Sequence, residues 1–307
     1  MYKAYFNLQR DPFEITPDPY FLFRTEKHDE TLAALQYGVD QHKGFIVMTG
    51  EMGTGKTLLV RCLIEMLNKQ NIAYAYVFNS RLSPLEFLQY VAGDLGLPRV
   101  GDNKAEILMN LGCYLISRHQ SKLATVLVVD EAHHLSTEVL EEIRLLTNLE
   151  TARQKLLQIV LAGQPELDDK FESLQLRQLK QRISVRAQLA PLNRIETEGY
   201  IDRRLQLASD GCRTSSVFCS EAMDRIHLYS QGIPRVINTV CENALILAFT
   251  RKEQFVTTEI IDKVATRFRL HAQPAHAPES IGSDEIGEAM RTLRQLHQRL
   301  QATRQDQ

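Results

Sequence analysis

The residues best suited to chemistry form one glycine-rich stretch, Gly50-Glu51-Met52-Gly53-Thr54-Gly55-Lys56-Thr57. The stretch fits the pattern G-x₄-G-K-[ST], between an apolar run typical of a strand and an amphipathic run from Leu58 typical of a helix. Glycines let a backbone wrap around phosphate oxygens, and a helix N-terminus attracts them. Lys56 would neutralise the β- and γ-phosphates, and the Thr57 hydroxyl would ligate Mg²⁺. The sequence therefore predicts a site for ATP and Mg²⁺ over Gly50–Leu58.

A second pair of reactive side chains follows a wholly apolar run in TVLVVDEAHHL, where Asp130 and Glu131 stand at the end of a predicted strand. Ligands of open α/β sheets bind outside the carboxyl ends of the strands, so both acids are expected beside the phosphate loop. Asp130 would hold Mg²⁺ through water. Glu131 would orient the attacking water, because phosphoryl transfer depends mainly on positioning and charge stabilisation.

His133 completes the string Asp-Glu-Ala-His that is known from helicases, and a second histidine, His134, follows it. We interpret the match to helicases as coincidental, because the rest of the chain follows another pattern. Neighbouring residues at a loop or helix start rarely face one metal ion together. Surface or packing roles are therefore predicted for both histidines.

Strands and helices are predicted to alternate through the first two thirds of the chain, as in a parallel sheet sandwiched by helices. The predicted strands are Phe45–Thr49, Ala73–Asn79, Thr125–Val129, Leu157–Ala162 and Val185–Leu189. The predicted helices of this region are Glu26–Gln41, Leu58–Gln70, Pro84–Leu95, Ala105–His119 and Thr137–Glu150. After Pro191 only helices are predicted, over Ile195–Ser209, Ser220–Ser230, Arg235–Arg251 and Thr257–Leu270.

These patterns divide the chain into five parts. Residues 1–24 are rich in aromatic residues and proline, and we expect an extended arm without regular helix that packs on the main domain. Residues 25–191 form the predicted nucleotide-binding α/β domain, and residues 192–270 an all-helical lid subdomain. Residues 271–283 read as a linker. Residues 284–307 contain an amphipathic helix, Asp284–Gln301, expected to act as a docking or coiled-coil element.

Composition excludes several classes of protein. The 307 residues are 44% hydrophobic and 24% charged, with a net charge of −2, so no general affinity for nucleic acid or anionic membranes follows from charge. No run approaches the roughly 18 apolar residues of a membrane span. The N-terminus lacks the apolar core of a signal peptide, and the five cysteines include no C-x-x-C pair. We therefore expect a cytoplasmic protein in a reducing compartment.

With both motifs placed, the chain resembles the AAA+ ATPases, and more narrowly the ExeA/GspA-type ATPases of general secretion and the related TnsC- and MuB-type transposition ATPases. The resemblance covers roughly residues 1–270. Its segments are YFNLQRDPFEITPDPYFLF at the start, GEMGTGKT, VVDEAHHL, LEEIRLLTNLET, IVLAGQPEL, LKQRI and GIPRVIN. The first, fourth and fifth of these are more specific to the ExeA-like group than the two nucleotide motifs.

The resemblance implies three further site residues. Gln164 in IVLAGQPEL falls at the position of sensor 1, beside the attacking water. Arg182 in LKQRI falls at the arginine-finger position, which acts on the nucleotide of a neighbouring subunit. Arg235 in GIPRVIN falls at sensor 2, on a lid helix over the same nucleotide. A cation at a helix start is unfavourable unless an anion is near, which agrees with a phosphate partner for Arg235.

Three functions are consistent with these residues. The first is an ATP-hydrolysing homo-oligomer that remodels a protein partner in secretion or polysaccharide export. The assembly that we expect is a hexameric ring. The second is a DNA-dependent transposition-type ATPase that assembles on duplex DNA. The third is a nucleotide-gated scaffold with negligible turnover. The basic residues are dispersed along the sequence and do not separate the first two readings.

Overall fold

A parallel β-sheet lies at the centre of the computed structural model, which describes residues 1–78, 81–97, 100–209 and 217–271. Within these ranges the sheet has five strands in the order β2-β3-β4-β1-β5, and every pairing is parallel. The strands are β1 (Phe45–Gly50), β2 (Ala73–Val77), β3 (Thr125–Val129), β4 (Gln158–Gly163) and β5 (Val185–Leu189). The predicted α/β fold with a parallel sheet is confirmed.

The position of each strand in the sheet agrees with its sequence pattern. Every residue of β1, β3 and β4 is buried, and these are the three inner strands. The edge strands β2 and β5 include partly exposed residues, and β5 alternates between exposed and covered positions. Strands covered by helices on both faces need continuous apolar runs, whereas an edge strand tolerates polar residues such as Arg186 and Gln188.

Helices precede, connect and follow the strands in the described residues. They are α1 (Tyr2–Tyr5), α2 (Glu26–Asp40), α3 (Lys56–Lys69), α4 (Pro84–Asp94), α5 (Lys104–Gln120), α6 (Thr137–Leu146), α7 (Glu166–Glu172), α8 (Arg177–Lys180), α9 (Arg194–Ala208), α10 (Ser220–Ser230), α11 (Pro234–Arg251) and α12 (Thr258–Arg267). Side-chain caps mark the N-termini of several of these helices. Ser83 and Asn193 form capping boxes with Glu86 and Glu196, which satisfy backbone donors of the first turn.

Alternate residues of the inner strands enter two separate cores. Phe45 and Val47 of β1 pack with α4, α5 and α6 on one face of the sheet. Ile46 and Met48 pack on the other face with α2 and α3. The two faces are therefore distinguished by the two-residue period of the strand.

A third core joins the N-terminal arm to the helices after β5. Phe6, Leu8 and Phe13 are buried with residues of α9, α10, α11 and α12, and the ring of Phe13 lies edge-to-face on Phe218, with 6.1 Å between centroids. The Gln9 backbone N–H donates to the Ala208 carbonyl at 2.7 Å. The arm thus completes a hydrophobic core that the lid helices alone would leave open.

The arm differs in two respects from its prediction. It was expected to lack regular helix and to lie on the α/β domain, but Tyr2–Tyr5 is helical, and Pro19–Phe21 forms a 3₁₀ helix. The helix Tyr2–Tyr5 can form because it precedes every proline of the arm, so that no proline interrupts its backbone hydrogen bonds. The second begins at Pro19, where the missing N–H of proline would have no partner in any case. Phe6, Leu8 and Phe13 pack with the lid helices instead, whereas Leu22 packs with the α/β domain, and Arg61 of α3 donates to the Pro17 carbonyl of the arm.

Other differences concern short elements. The helices Glu166–Glu172 and Arg177–Lys180 were missed, because each is shorter than the window over which helical periodicity is visible. The helix predicted to reach Glu150 ends at Leu146. An isolated bridge between Phe218 and Val256 lies in the region expected to be all-helical. The linker from residue 272 onward and the helix Asp284–Gln301 lie outside the described residues.

The arm core yields a stability prediction. We expect Phe13→Ala to lower the free energy of unfolding by about 3–5 kcal/mol, because it empties a fully buried aromatic site. Chemical denaturation would measure the change. Ile195→Ala is the control, since the Ile195 side chain is 82% exposed and should cost little. Equal stabilities of the Phe13→Ala variant and the parent would contradict the packing of the arm.

Candidate active site

The phosphate loop joins the carboxyl end of β1 to the N-terminus of α3. Gly53 and Gly55 adopt φ of +85° and +104°, a region that side-chain-bearing residues rarely enter. Gly55 is the N-cap residue of α3 and supplies no side-chain acceptor. The first backbone N–H groups of the helix are therefore available to an anion, and the helix dipole favours one there.

Lys56 places its ammonium group inside this loop. Its Nζ donates to the carbonyl oxygens of Gly50 at 2.7 Å and Glu51 at 2.9 Å, and the side chain is buried. Burial lowers the pKa of Lys56, while the carboxylates of Glu131 and Asp130 oppose that shift. The loop therefore holds a desolvated cation at the position where phosphate oxygens would need one.

Thr57 and Asp130 meet although they lie on different motifs. The Thr57 Oγ1 donates to Asp130 Oδ2 at 2.9 Å, and the Glu131 backbone N–H donates to Asp130 Oδ1 at 2.9 Å. Tyr76 Oη adds a longer contact of 3.4 Å to Oδ2. Burial raises the pKa of Asp130, and the three donors act against it. A hydroxyl beside a carboxylate is the oxygen donor set that suits Mg²⁺, so the residues present fit that ion.

Glu131 follows Asp130 in the left-handed backbone region, with φ of +50°. This conformation turns the chain sharply at the end of β3, so that two successive carboxylates leave in different directions. The side chain is 43% exposed and lines the cavity beside the phosphate loop. Glu131 is thus placed to meet water at the phosphate end.

Gln164 lies directly after β4 and also lines this cavity. Its amide Nε2 lies 2.9 Å from Nε2 of His133, which is buried behind Glu131. Glu131, His133 and His134 bring one ligand-type atom each within 4.8 Å of one another. Because both ring nitrogens of His133 already face polar atoms of Gln164, we interpret this cluster as a hydrogen-bond network. His134 is exposed.

Arg235 stands in the first turn of α11, against the phosphate loop. Its backbone N–H donates to the Gly53 carbonyl at 3.3 Å, and a Cβ atom added to Gly53 would lie 2.9 Å from Cβ of Arg235. The Arg235 side chain lines the cavity. The lid helix therefore rests directly on the loop and brings a guanidinium group to the phosphate end.

Arg182 lies apart from the other expected site residues, which line the cavity, form the phosphate loop or, like Asp130, bond to it. Its Nη1 donates to Oγ1 of Thr147 at 2.7 Å, at the C-terminus of α6. The Thr147 hydroxyl in turn donates to the Arg144 carbonyl at 2.6 Å. Among the described residues, the cavity lining does not include Arg182.

The cavity has a volume of about 310 Å³ and a second end that the sequence did not reveal. Opposite the phosphate loop it is lined by arm residues and by two lid helices: Ile15, Thr16, Pro17, Tyr200, Arg204 and Asn238. Tyr200 Oη donates to Asn238 Oδ1 at 2.8 Å. Ile15, Thr16 and Pro17 belong to the opening segment and Asn238 to GIPRVIN, but neither segment shows that these residues share one wall, because they come together only when the arm folds back on the lid.

Comparison with known proteins agrees with this arrangement. A family profile described as an AAA domain matches residues 39–171. General secretion pathway protein A of Aeromonas hydrophila is 42% identical over 252 residues, which are 82% of this chain. The chain belongs to the AAA+ ATPases of the ExeA/GspA type. It spans 45% of the length of that relative.

Solved structures share the fold of this AAA+ chain at low sequence identity. Drosophila ORC bound to DNA has a TM-score of 0.66 at 19% identity, over 89% of this chain and 67% of that one. Cdc6p from Pyrobaculum aerophilum has a TM-score of 0.64 at 17% identity, over 85% of this chain and 71% of that one. Aeropyrum pernix ORC2 has a TM-score of 0.62 at 16% identity, over 87% of this chain and 74% of that one. Within the described residues, no helix is long and apolar enough to cross a bilayer.

The contact of the lid with Gly53 leads to a prediction. Gly53→Ala should weaken ATP binding by about tenfold, or 1.4 kcal/mol, because the methyl group needs a strained φ and displaces Arg235. Isothermal titration calorimetry would measure the affinity. Gly112→Ala is the matched control: its added Cβ meets nothing within 4 Å, and alanine favours the interior of α5. Unchanged affinity in Gly53→Ala would show that the lid does not rest on the loop.

Proposed function

We propose that this chain binds ATP with Mg²⁺ in the described cavity and hydrolyses it to ADP and phosphate. The hydrogen bond between Thr57 and Asp130 supports this most directly, because it joins the phosphate loop to a buried carboxylate at the end of β3. The hydroxyl oxygen of Thr57 would ligate Mg²⁺ beside a nucleotide, and the Asp130 carboxylate would hold the ion through water. Mg²⁺ would supply charge neutralisation between the β- and γ-phosphates.

The other residues have roles that follow from their positions. The loop N–H groups from Gly50 to Leu58 and the Lys56 ammonium would bind the phosphates, and Lys56 would exchange its carbonyl partners for phosphate oxygens. Glu131 would orient the attacking water and accept its proton as the bond to phosphorus forms. Gln164 would contact the γ-phosphate or that water with its amide. Arg235 would add positive charge from the lid.

Full activity is proposed to require a homo-oligomer. Arg182 lies outside the cavity of its own chain, and a guanidinium group is well suited to stabilise charge in phosphoryl transfer. We assign it to the nucleotide of an adjacent copy, in a closed ring for which six subunits are proposed. A cyclic assembly repeats one heterologous contact and so supplies one arginine to each site.

The work done with ATP is proposed to be the remodelling of a protein partner. The relative from Aeromonas hydrophila is named for general secretion, and a secretion or export partner is therefore our first choice. A DNA-dependent ATPase is the second, since one structure of this fold is described as bound to DNA. Hydrolysis measured with and without duplex DNA across a salt series would separate them: DNA stimulation that falls with salt favours the second.

Substitutions at the phosphate loop and at Glu131 test the catalytic proposal. Lys56→Ala should abolish measurable ATP binding, because it removes the buried cation of the loop. Glu131→Gln should keep binding and lose turnover by about 10²–10⁴-fold, since an amide cannot accept the proton of water. Calorimetry and phosphate release would be compared in parallel. Parental turnover in Glu131→Gln would reject its role, and negligible turnover in the parent itself would favour the scaffold reading.

Mixing of subunits tests the role of Arg182. Arg182→Ala should bind ATP normally and lose turnover by about 10³-fold or more, because the group acts across a subunit boundary. Lys56→Ala subunits carry an intact Arg182 and no functional loop. Mixtures of the two variants should recover part of the parental turnover, measured after exchange of labelled subunits is established. Exchange without recovery would exclude a role in trans.

A further inference from the structure

Buried His133 lies between the two cavity-lining groups at the ends of β3 and β4. Its Nδ1 is 3.5 Å from Glu131 Oε2, and its Nε2 is 2.9 Å from the amide Nε2 of Gln164. The Gln164 backbone N–H also points at Nδ1, at 3.3 Å. One imidazole therefore contacts both the proposed water-orienting carboxylate and the proposed phosphate sensor.

The surroundings hold this ring in place. Lys170 Nζ donates to the backbone carbonyls of His133 and Leu135, the latter at 2.7 Å, and this fixes the short turn that carries the ring. The His134 ring lies against it at a tilt of 41°, with 3.9 Å between centroids. Burial lowers the pKa of His133, so the ring is neutral at neutral pH. A fixed neutral ring can respond to its neighbours by exchanging tautomer.

The two tautomers make different sets of hydrogen bonds, because a neutral imidazole has one donor and one acceptor. With the proton on Nδ1, the ring faces the Glu131 carboxylate with an N–H, and Nε2 accepts from the NH₂ of the Gln164 side chain. The Gln164 backbone N–H then loses its acceptor, so this tautomer depends on the negative charge of Glu131. With the proton on Nε2, the ring donates to the Gln164 side-chain oxygen. Nδ1 then accepts from the Gln164 backbone N–H, and Glu131 loses its donor.

The orientation of the Gln164 amide therefore selects the tautomer. A γ-phosphate can only accept hydrogen bonds at neutral pH, so Gln164 must turn its NH₂ toward it. The side-chain oxygen then faces His133 and requires an N–H at Nε2. We propose that His133 relays triphosphate occupancy from Gln164 to Glu131 as a positioning residue, by moving its proton from Nδ1 to Nε2 and releasing the carboxylate toward the attacking water.

This relay rests on the proposed function, because it assumes that the cavity holds a triphosphate. It gives His133 no contact with the reacting atoms, and the ring does not line the cavity among the described residues. Diphosphate should leave the Nδ1–H form in place, since it presents no γ-phosphate to Gln164. The site would thus restrain Glu131 until ATP is bound.

Histidine side-chain NMR tests the relay without hydrolysis. In the ¹⁵N-labelled full-length protein with Mg²⁺, we expect the His133 signals to show the Nδ1–H tautomer alone and with ADP. With a non-hydrolysable ATP analogue, they should show the Nε2–H tautomer. Gln164→Ala should abolish the change while the analogue still binds by calorimetry. A tautomer that the analogue leaves unchanged, or that ADP changes equally, would overturn the relay.

Kinetics provide a second test. His133→Ala should lower kcat by about 10-fold or more and leave the dissociation constant for ATP within about twofold, because a misplaced catalytic group costs rate rather than binding. The His133→Ala/Gln164→Ala double variant should be no slower than the slower single variant, since the two residues act as one unit. His227→Ala is the control, because His227 is partly buried and paired with Thr197 outside the cavity.

The outcomes separate the two proposals. Additive losses in the double variant, or a loss of ATP affinity that matches the loss of kcat, would assign His133 a purely structural role and overturn the relay. Absence of hydrolysis in the parent protein would overturn the proposed function. In that case the NMR comparison still decides whether the ring couples Gln164 to Glu131, because it depends on binding of the analogue alone.

Discussion

The hydrogen bond from Thr57 to Asp130 is the contact on which the site depends, because it joins the start of α3 to the end of β3 across the sheet. It exists only because β4 alone separates β1 from β3 in the strand order, with all three strands parallel. A buried carboxylate would otherwise be costly. Here the donors from Thr57, Tyr76 and the Glu131 backbone stabilise it and hold its two oxygens in one orientation.

The second constraint is the dependence of the lid on the arm. Arg204 shows it best: its Nη1 donates to the Pro12 carbonyl at 2.7 Å, and its guanidinium lies 5.1 Å from the Phe21 ring and 4.9 Å from the Tyr200 ring. The same arginine lines the cavity. Buried Arg204 therefore contacts the arm, belongs to a lid helix and forms part of the cavity wall. A change in the position of the arm would for this reason change the shape of the cavity.

Some residues of the site come from the phosphate loop itself, and others are brought to it by contacts between distant parts of the chain. Lys56 and Thr57 follow from one loop, whereas Gln164 reaches the cavity through the sheet order and Arg235 through the contact of α11 with Gly53. Arg182 is held by Thr147 on a different surface. One chain therefore gathers Lys56, Gln164 and Arg235 at one cavity and leaves Arg182 outside it.

Much of the fold and of the site was predictable from local patterns. Continuous apolar runs distinguished the inner strands from β5, because burial on both faces leaves its mark on each short segment. The spacing of the glycines, Lys56 and Thr57 defined a phosphate loop, because the freedom of the glycine backbone is also a local property. The tertiary structure alone decided which surface the arm covers, that Tyr200, Arg204 and Asn238 form the far wall of the cavity, and that His133 bridges Glu131 and Gln164. Those contacts join residues far apart in the chain, and no local period specifies which distant side chain will complete a pocket or share a proton.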